Sequence, residues 1–489
     1  MHVDSSRSNH VYYTYSGTTP RTATRLSQRK KTTGNEVNAL KKNDRMHLTI
    51  TDCTLSGHGV GHKDGMAVLV PAAAVSDEAE VQIVKVNKTY AFGRLVTVAA
   101  PSPDRIENDC PAFPQCGGCL FRHISYGAEL RLKENQVREN MRRIGHYEGG
   151  VQPITPSPQT NGYRNKAQFP LAVQKEKLCI GFFAPRSHRV VDCRTCRLQP
   201  TSFADVLSVF DKWITAYQIP VYDETTCKGL LRHIYIREGV RTGELLVCTV
   251  SKAKKLPHTD ALCRALCDAV PRIRSVVLNF NPDDTNVILG KTCVPLFGDG
   301  VIEDVLCGLR FRLSPLSFYQ VNAPQAENLY RKAAEFAKPE GKTVLDLYCG
   351  TGTIGLTMAK KAREIVGVEI VPDAVRNAEA NAERNGITNA RFLCADAAQA
   401  AAHLASEGVK PEVILVDPPR KGCAPELLDT ILHMAPDTLV YISCDSATLA
   451  RDCAVLQDGG YAVDAVAPFD MFPRTGHVET VVRLSRKKK

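Results

Sequence analysis

Two short apolar runs, Val413-Ile-Leu-Val416 and Leu439-Val-Tyr-Ile442, lack the alternation of a half-exposed strand and read as central strands buried on both faces. Their carboxyl ends carry Asp417 and Cys444. From residue 343 onward such runs alternate with helical periodicity, with Thr343-Val-Leu-Asp-Leu-Tyr348, Glu364-Ile-Val-Gly-Val-Glu369 and Arg391-Phe-Leu-Cys394 coming first. The pattern predicts an α/β unit, a parallel sheet covered by helices on both faces, and such sheets bind ligands at the carboxyl ends of their strands. Residues 48–100 differ: short alternating runs with glycine turns suit a small five-stranded barrel. Ala100-Pro-Ser-Pro103 marks a linker, followed by a cysteine cluster, a charged helical stretch over 128–143, and an α+β region with strands at 232–237 and 244–250. Residues 1–44 carry almost no aliphatic side chains and read as a disordered tail.

A chain of 489 residues is long enough for two to four domains. The net charge is +10, with nine Lys/Arg against three Asp/Glu over residues 1–45 and a second basic run at 483–489, which points to a polyanionic partner or to solvated tails. There are eighteen cysteines but neither a secretory apolar segment nor a run able to span a bilayer, so the expectation is a reducing, cytoplasmic setting with no membrane association. Some of these thiols should then serve a metal or a reaction.

Asp346-Leu-Tyr-Cys-Gly350-Thr-Gly352-Thr-Ile-Gly355 is a strand, a glycine turn and a helix start, and Glu369 at the end of the next strand is placed to hold ribose hydroxyls. A dinucleotide site has the same signature. Cys110-x5-Cys116-Gly-Gly-Cys119 gathers three thiols, and Cys193 or Cys196 supplies a fourth; zinc and a [4Fe–4S] cluster both remain open, as does a ribbon of paired Cys116/Cys119 and Cys193/Cys196. Cys444 alone fits a packed core thiol equally well.

Together these segments, with Ser317-Phe-Tyr-Gln320-Val-Asn322, Asp417-Pro-Pro-Arg-Lys-Gly422, Tyr441-Ile-Ser-Cys444 and Phe472-Pro-Arg-Thr-Gly-His477-Val-Glu479, resemble the RNA 5-methyluridine methyltransferases, most closely the 23S rRNA (uracil-5-)-methyltransferase RlmD type. The resemblance implies a TRAM (OB-fold) domain over 45–103, an α+β iron–sulfur central domain over 104–305 and a Rossmann-like S-adenosylmethionine-dependent methyltransferase domain over 306–489. It implies Cys444 as nucleophile and Glu479 as base. Glu479 also stands among Val478 and Val481, where a surface charge is unexpected. The cofactor would be held by Gln320, Tyr348, Gly350, Gly352, Thr353, Glu369, Asp396 and Asp417, and the target base by Phe318 and Asp417. The cluster would be a [4Fe–4S] group on Cys110, Cys116, Cys119 and Cys196, with Cys193 left out. The implied partner is 23S ribosomal RNA, and the barrel and cluster favour rRNA over tRNA; a monomer is the default expectation. Asp445 and Arg197 depart from the family pattern, which commonly has asparagine and proline there. Two other readings stand beside it: methylation of an exocyclic amine, which Asp-Pro-Pro also serves but with an aromatic residue where Arg420 stands, and a non-catalytic RNA-binding or ribosome assembly role.

Overall fold

The computed structural model describes residues 40–487, so the tail expected over 1–44 lies almost wholly outside the described residues. In the carboxyl-terminal unit, seven strands form one sheet: β1 (Thr343–Leu347), β2 (Glu364–Glu369), β3 (Ala390–Cys394), β4 (Val413–Val416), β5 (Thr438–Ser443), β6 (Tyr461–Phe469) and β7 (Glu479–Arg486). The order is β3-β2-β1-β4-β5-β7-β6. Strands β1 to β5 run parallel, and β7 is antiparallel to both its neighbours. Every residue of β1, β4 and β5 is buried, as their unbroken apolar runs require. Alternate side chains enter opposite cores: Val344, Val413 and Leu415 one, Leu345, Ile414 and Val416 the other. The sheet reverses its winding between β1 and β4, and a crevice opens at such a reversal.

The amino-terminal barrel has six strands rather than five, in the order Arg45–Thr49, Glu78–Val86, Tyr90–Ala100, Met66–Pro71, His58–Lys63, Asp52–Cys53. The additional strands include His58–Lys63, whose glycines and histidines hide the alternation. Its Gly59 packs where a Cβ would meet Ala73 O at 2.7 Å.

A second seven-stranded sheet forms the central unit, with Leu231–Glu238 and Leu245–Ser251 at its heart and the helices Ser202–Ala216 and Thr259–Ala269 packed on it. The expected division at 305/306 falls inside a hairpin, because Ile302–Leu306 pairs with Leu309–Leu313. Both of its strands pack into a core that also holds Val344 of β1 and Tyr235, Leu246 and Val277 of the central sheet, so the hairpin bridges the two units. The charged stretch is the helix Tyr126–Arg143. Although its place in the chain is central, Val137 and Met141 enter the core under β1 and β4. Residues 151 and 155 bridge β6 in parallel, which extends the same sheet.

What fixes this helix is a buried ion cluster. Lys133 Nζ donates to Glu129 Oε1 (2.7 Å), Asp470 Oδ1 (2.7 Å) and the Phe472 carbonyl (3.2 Å), and all three charged side chains are fully buried. Tyr126 OH donates to Asp470 Oδ2, and the Arg474 N–H donates to Glu129 Oε1. The segment after Asp470 also meets the barrel: at Gly476 a Cβ would lie 1.8 Å from Leu55 O. Removing one partner from a buried ion cluster leaves uncompensated charge, so Lys133→Met should destabilise the protein by about 3–5 kcal/mol in denaturant unfolding. A loss below about 1 kcal/mol would show that the cluster contributes little.

Candidate active site

The carboxyl ends of β1, β2, β4 and β5 open into one cleft of about 1240 Å³. Its walls bring together Phe318, Gln320, Tyr348, Gly350, Thr353, Glu369, Asp417, Cys444 and Glu479. The glycine turn after β1 is tight. Tyr348 has φ +67°, a left-handed conformation that a tyrosine adopts only under constraint, and Gly350 and Gly352 follow at +55° and +79°. Beneath the turn, Asp346 Oδ2 accepts from the Gly355 N–H (2.9 Å), while its Oδ1 is buried without a partner. Glu369 accepts from the N–H groups of Gly350 (3.1 Å) and Val371 (2.9 Å), and each oxygen keeps a lone pair for a hydroxyl of a bound nucleoside. These residues fit S-adenosylmethionine, and Tyr348 lines the cleft beside them.

Two expected cofactor residues stand apart from the cleft walls. Gly352 begins the helix Thr353–Met358, where a Cβ would meet Leu356, Phe392 and Ala378 at 3.1–3.3 Å. Asp396 begins the helix Ala397–Ser406, its carboxylate accepting from the N–H groups of Ala398 (3.0 Å) and Gln399 (3.3 Å). Phe318 projects from a loop with 64% of its surface exposed, an aromatic face open to an incoming base.

The reacting end combines one thiol with several carboxyls. Burial pushes Glu479 up to about 8, with Asp417 adding to the rise and Arg420 opposing it. Crowding by protein alone pushes Asp417 up to about 7. Burial, then the charge of Glu479, pushes the Cys444 thiol up to about 12 against the pull of Arg420. The thiol is therefore held protonated beside two carboxyls that titrate near neutrality, either of which is a suitable first acceptor for its proton. Arg420 Nη2 lies 3.4 Å from His477 Nε2, and burial, then Arg420, depresses that imidazole to about 4, so the pair carries one positive charge.

The five thiols of the cysteine motifs line a separate small cavity of about 60 Å³, together with Arg122 and Arg164. The Cys193 thiol stands between Cys110 and Cys196. Its hydrogen bonds draw Cys110 down to about 6 and Cys196 to about 7, and Cys193 itself is raised. Among the described residues no group of three or more His, Cys, Asp or Glu side chains has the arrangement of a metal site. Thiols are the donor type of both iron–sulfur and zinc sites, and of the two guanidiniums here Arg122 is already paired with Asp109 (2.6 Å).

Sequence reasoning missed Arg164 and Lys166, which line the cleft from the central unit, and the proximity of Arg420 to His477. Arg420 and His477 stood within quoted motifs, but nothing local signalled that positions 57 apart would meet.

A family model described as tRNA (Uracil-5-)-methyltransferase matches residues 307–487, and a TRAM domain model matches residues 40–96. A relative from Clostridium tetani, named an uncharacterized RNA methyltransferase, is 40% identical over 447 residues, 91% of this chain and 97% of its own. One from Halalkalibacterium halodurans with the same description is 43% identical over 450 residues, covering 92% and 98%. The crystal structure of Pyrococcus abyssi tRNA (uracil-54, C5)-methyltransferase in complex with S-adenosyl-L-homocysteine matches with a TM-score of 0.74 at 29% identity, covering 90% of this chain and all of that one. The region after residue 103 makes up less than that share, so the likeness extends into the barrel. With its glycine turn, its Cys444 cleft and relatives alike over nine-tenths of its length, the chain belongs to the RNA (uracil-5-)-methyltransferase family and is an S-adenosylmethionine-dependent RNA methyltransferase.

Proposed function

We propose that this enzyme methylates carbon 5 of a uridine in 23S ribosomal RNA through a covalent adduct with Cys444. The observation that supports this reading is the convergence of Cys444, Asp417 and Glu479 on the cleft that holds the glycine turn. Carbon 5 of uracil is a weak nucleophile. Transfer of the Cys444 proton to a neighbouring carboxylate frees a thiolate that adds to carbon 6, and the displaced electron pair makes carbon 5 an enolate carbon. S-adenosylmethionine, when bound, would supply the methyl group to that carbon, its S–CH3 bond breaking to leave S-adenosylhomocysteine. Glu479 as carboxylate then takes the proton from carbon 5, the electron pair re-forms the 5,6 double bond, and the thiolate leaves. Asp417 accepts the uracil N3–H, and Phe318 covers the base. Gln320 completes the cofactor contacts.

The thiol cavity is read as a [4Fe–4S] site on Cys110, Cys116, Cys119 and Cys196, and the enzyme as a cytoplasmic monomer. Among the described residues no helix is long and apolar enough to cross a membrane. A tRNA substrate is the second reading, favoured by the likeness to the Pyrococcus abyssi tRNA (uracil-54, C5)-methyltransferase.

The deciding experiment incubates the enzyme with 5-fluorouridine-containing fragments of 23S rRNA and of tRNA, where fluorine blocks proton removal and traps the adduct. A denaturation-resistant complex with the rRNA fragment is expected, and none with Cys444→Ala. Trapping on tRNA alone would move the assignment to the second reading, and trapping by Cys444→Ala would end the Cys444 mechanism.

Glu479→Gln should accumulate the adduct on ordinary uridine. It also carries a pH signature. A carboxyl raised on folding from its ordinary 4.5 to about 8 binds its proton more tightly when folded, so it lowers stability as pH rises between those values. Glutamine lacks that loss, so the stability of the variant relative to wild type should grow from pH 5 to pH 8. Parallel stability curves would show Glu479 to be ionised already.

For the thiol cavity, anaerobically prepared protein should be brown, absorbing at about 400 nm, an order-of-magnitude expectation for such clusters. Cys196→Ser should remove the colour and Cys193→Ser should leave it. Stoichiometric zinc with no iron would replace the cluster by a zinc ribbon.

A further inference from the structure

The acids in the cleft stand with the reacting base and the cofactor, whereas the wall contributed by the central unit is cationic. Arg164 and Lys166 both line the cleft, and among the described residues neither forms an ion pair. Lys166 begins the strand Lys166–Gln174 and sits in register with Arg237. The Arg237 guanidinium is buried and donates through Nη1 and Nη2 to the carbonyls of Ser314 (2.8 Å) and Ser317 (2.7 Å), while its Nε has no partner, so it holds the loop before Phe318 and adds a third positive charge. Arg164 is held in place: its Nε donates to Tyr163 OH (3.3 Å), which donates to the Pro473 carbonyl (2.9 Å). Burial, then Arg237 and Arg164, depresses the Lys166 ammonium to about 8. Three cations held together without a carboxylate stand where an outside anion is stabilising. Elsewhere on the wall Arg376 pairs with Asp373, and Arg420 lies against His477 at the reacting end.

We propose that Arg164 and Lys166 form a phosphate site that grips the RNA backbone beside the extruded uridine, so that the base enters the acidic end of the cleft while its phosphodiester stays on the cationic wall. This rests on the RNA methylation read above. A nucleotide leaving its stack loses contacts with its neighbours, and a fixed grip on its phosphate offsets that loss without reading sequence. The ligand is a phosphodiester rather than the carboxylate of the cofactor, and the two sources are separable. Arg164 also faces Cys119 and Cys196 in the thiol cavity, so Lys166 gives the cleaner test.

The experiment measures binding of a uridine-containing single-stranded oligonucleotide by Lys166→Gln, Lys166→Arg and wild type over a range of salt, with S-adenosylhomocysteine affinity measured in parallel. Lys166→Gln should weaken RNA binding about tenfold. It should also flatten the log–log salt slope by about 0.7, the share of one phosphate on a single strand. Lys166→Arg should restore both, KM for RNA should move more than kcat, and S-adenosylhomocysteine binding should hold. An unchanged salt slope in Lys166→Gln overturns the phosphate site. So does a parallel loss of S-adenosylhomocysteine affinity, which would make Lys166 a contact of the cofactor carboxylate or a support of the fold. Failure of the wild-type enzyme to methylate any RNA would instead overturn the activity on which the site depends, and is seen before any variant is made.

Discussion

The Lys133 ammonium, fully enclosed between Glu129 and Asp470, is the constraint from which the geometry of the reacting end follows. A charge this deep is tolerated only while its partners stay in place, which makes the arrangement all-or-none rather than adjustable. It clamps the helix Tyr126–Arg143 to the segment that leaves β6. The Arg474 carbonyl, in a left-handed turn, then accepts from the Leu120 N–H (2.7 Å), one residue beyond Cys119. The same segment carries His477 and ends in Glu479. Three functions separated in the chain thereby share one fixed loop.

Within the cleft, placement of charge rather than any single residue sets reactivity. Asp417 raises Glu479, both raise the thiol, and Arg420 is the counterweight on both Glu479 and Cys444. Because depression of the His477 imidazole leaves Arg420 as the sole cation of that pair, its pull is undiluted by a titrating neighbour. Asp346, pushed up to about 7 chiefly by burial, lies under the turn where a charged carboxylate would otherwise repel Glu369. The site keeps several acids close together by letting each share its proton near neutrality.

How much of this was legible depended on sequence distance. The strands ending in Asp417 and Cys444 were legible because burial on both faces leaves an unbroken apolar run. Asp346, the glycine turn and Glu369 follow one another in a single βαβ unit, so their meeting was legible too. The strand His58–Lys63 was not, since close approach of neighbouring backbone replaced its apolar side chains by glycine. Nor was the allegiance of the helix Tyr126–Arg143: Lys133 and Asp470 are 337 positions apart, and no periodicity reports a contact of that range. Asp396 shows the opposite case. A short acidic side chain before an alanine-rich run is a helix start by its own chemistry, and the structure uses it as one.

At Gly476 there is no room for a side chain, because the backbone of Leu55 presses against it from the barrel. The barrel is thus seated on the very turn that presents His477 and Glu479. A side chain at position 476 would push the barrel away from that turn, so the seat of the barrel and the position of Glu479 are fixed together by the absence of a single methyl group.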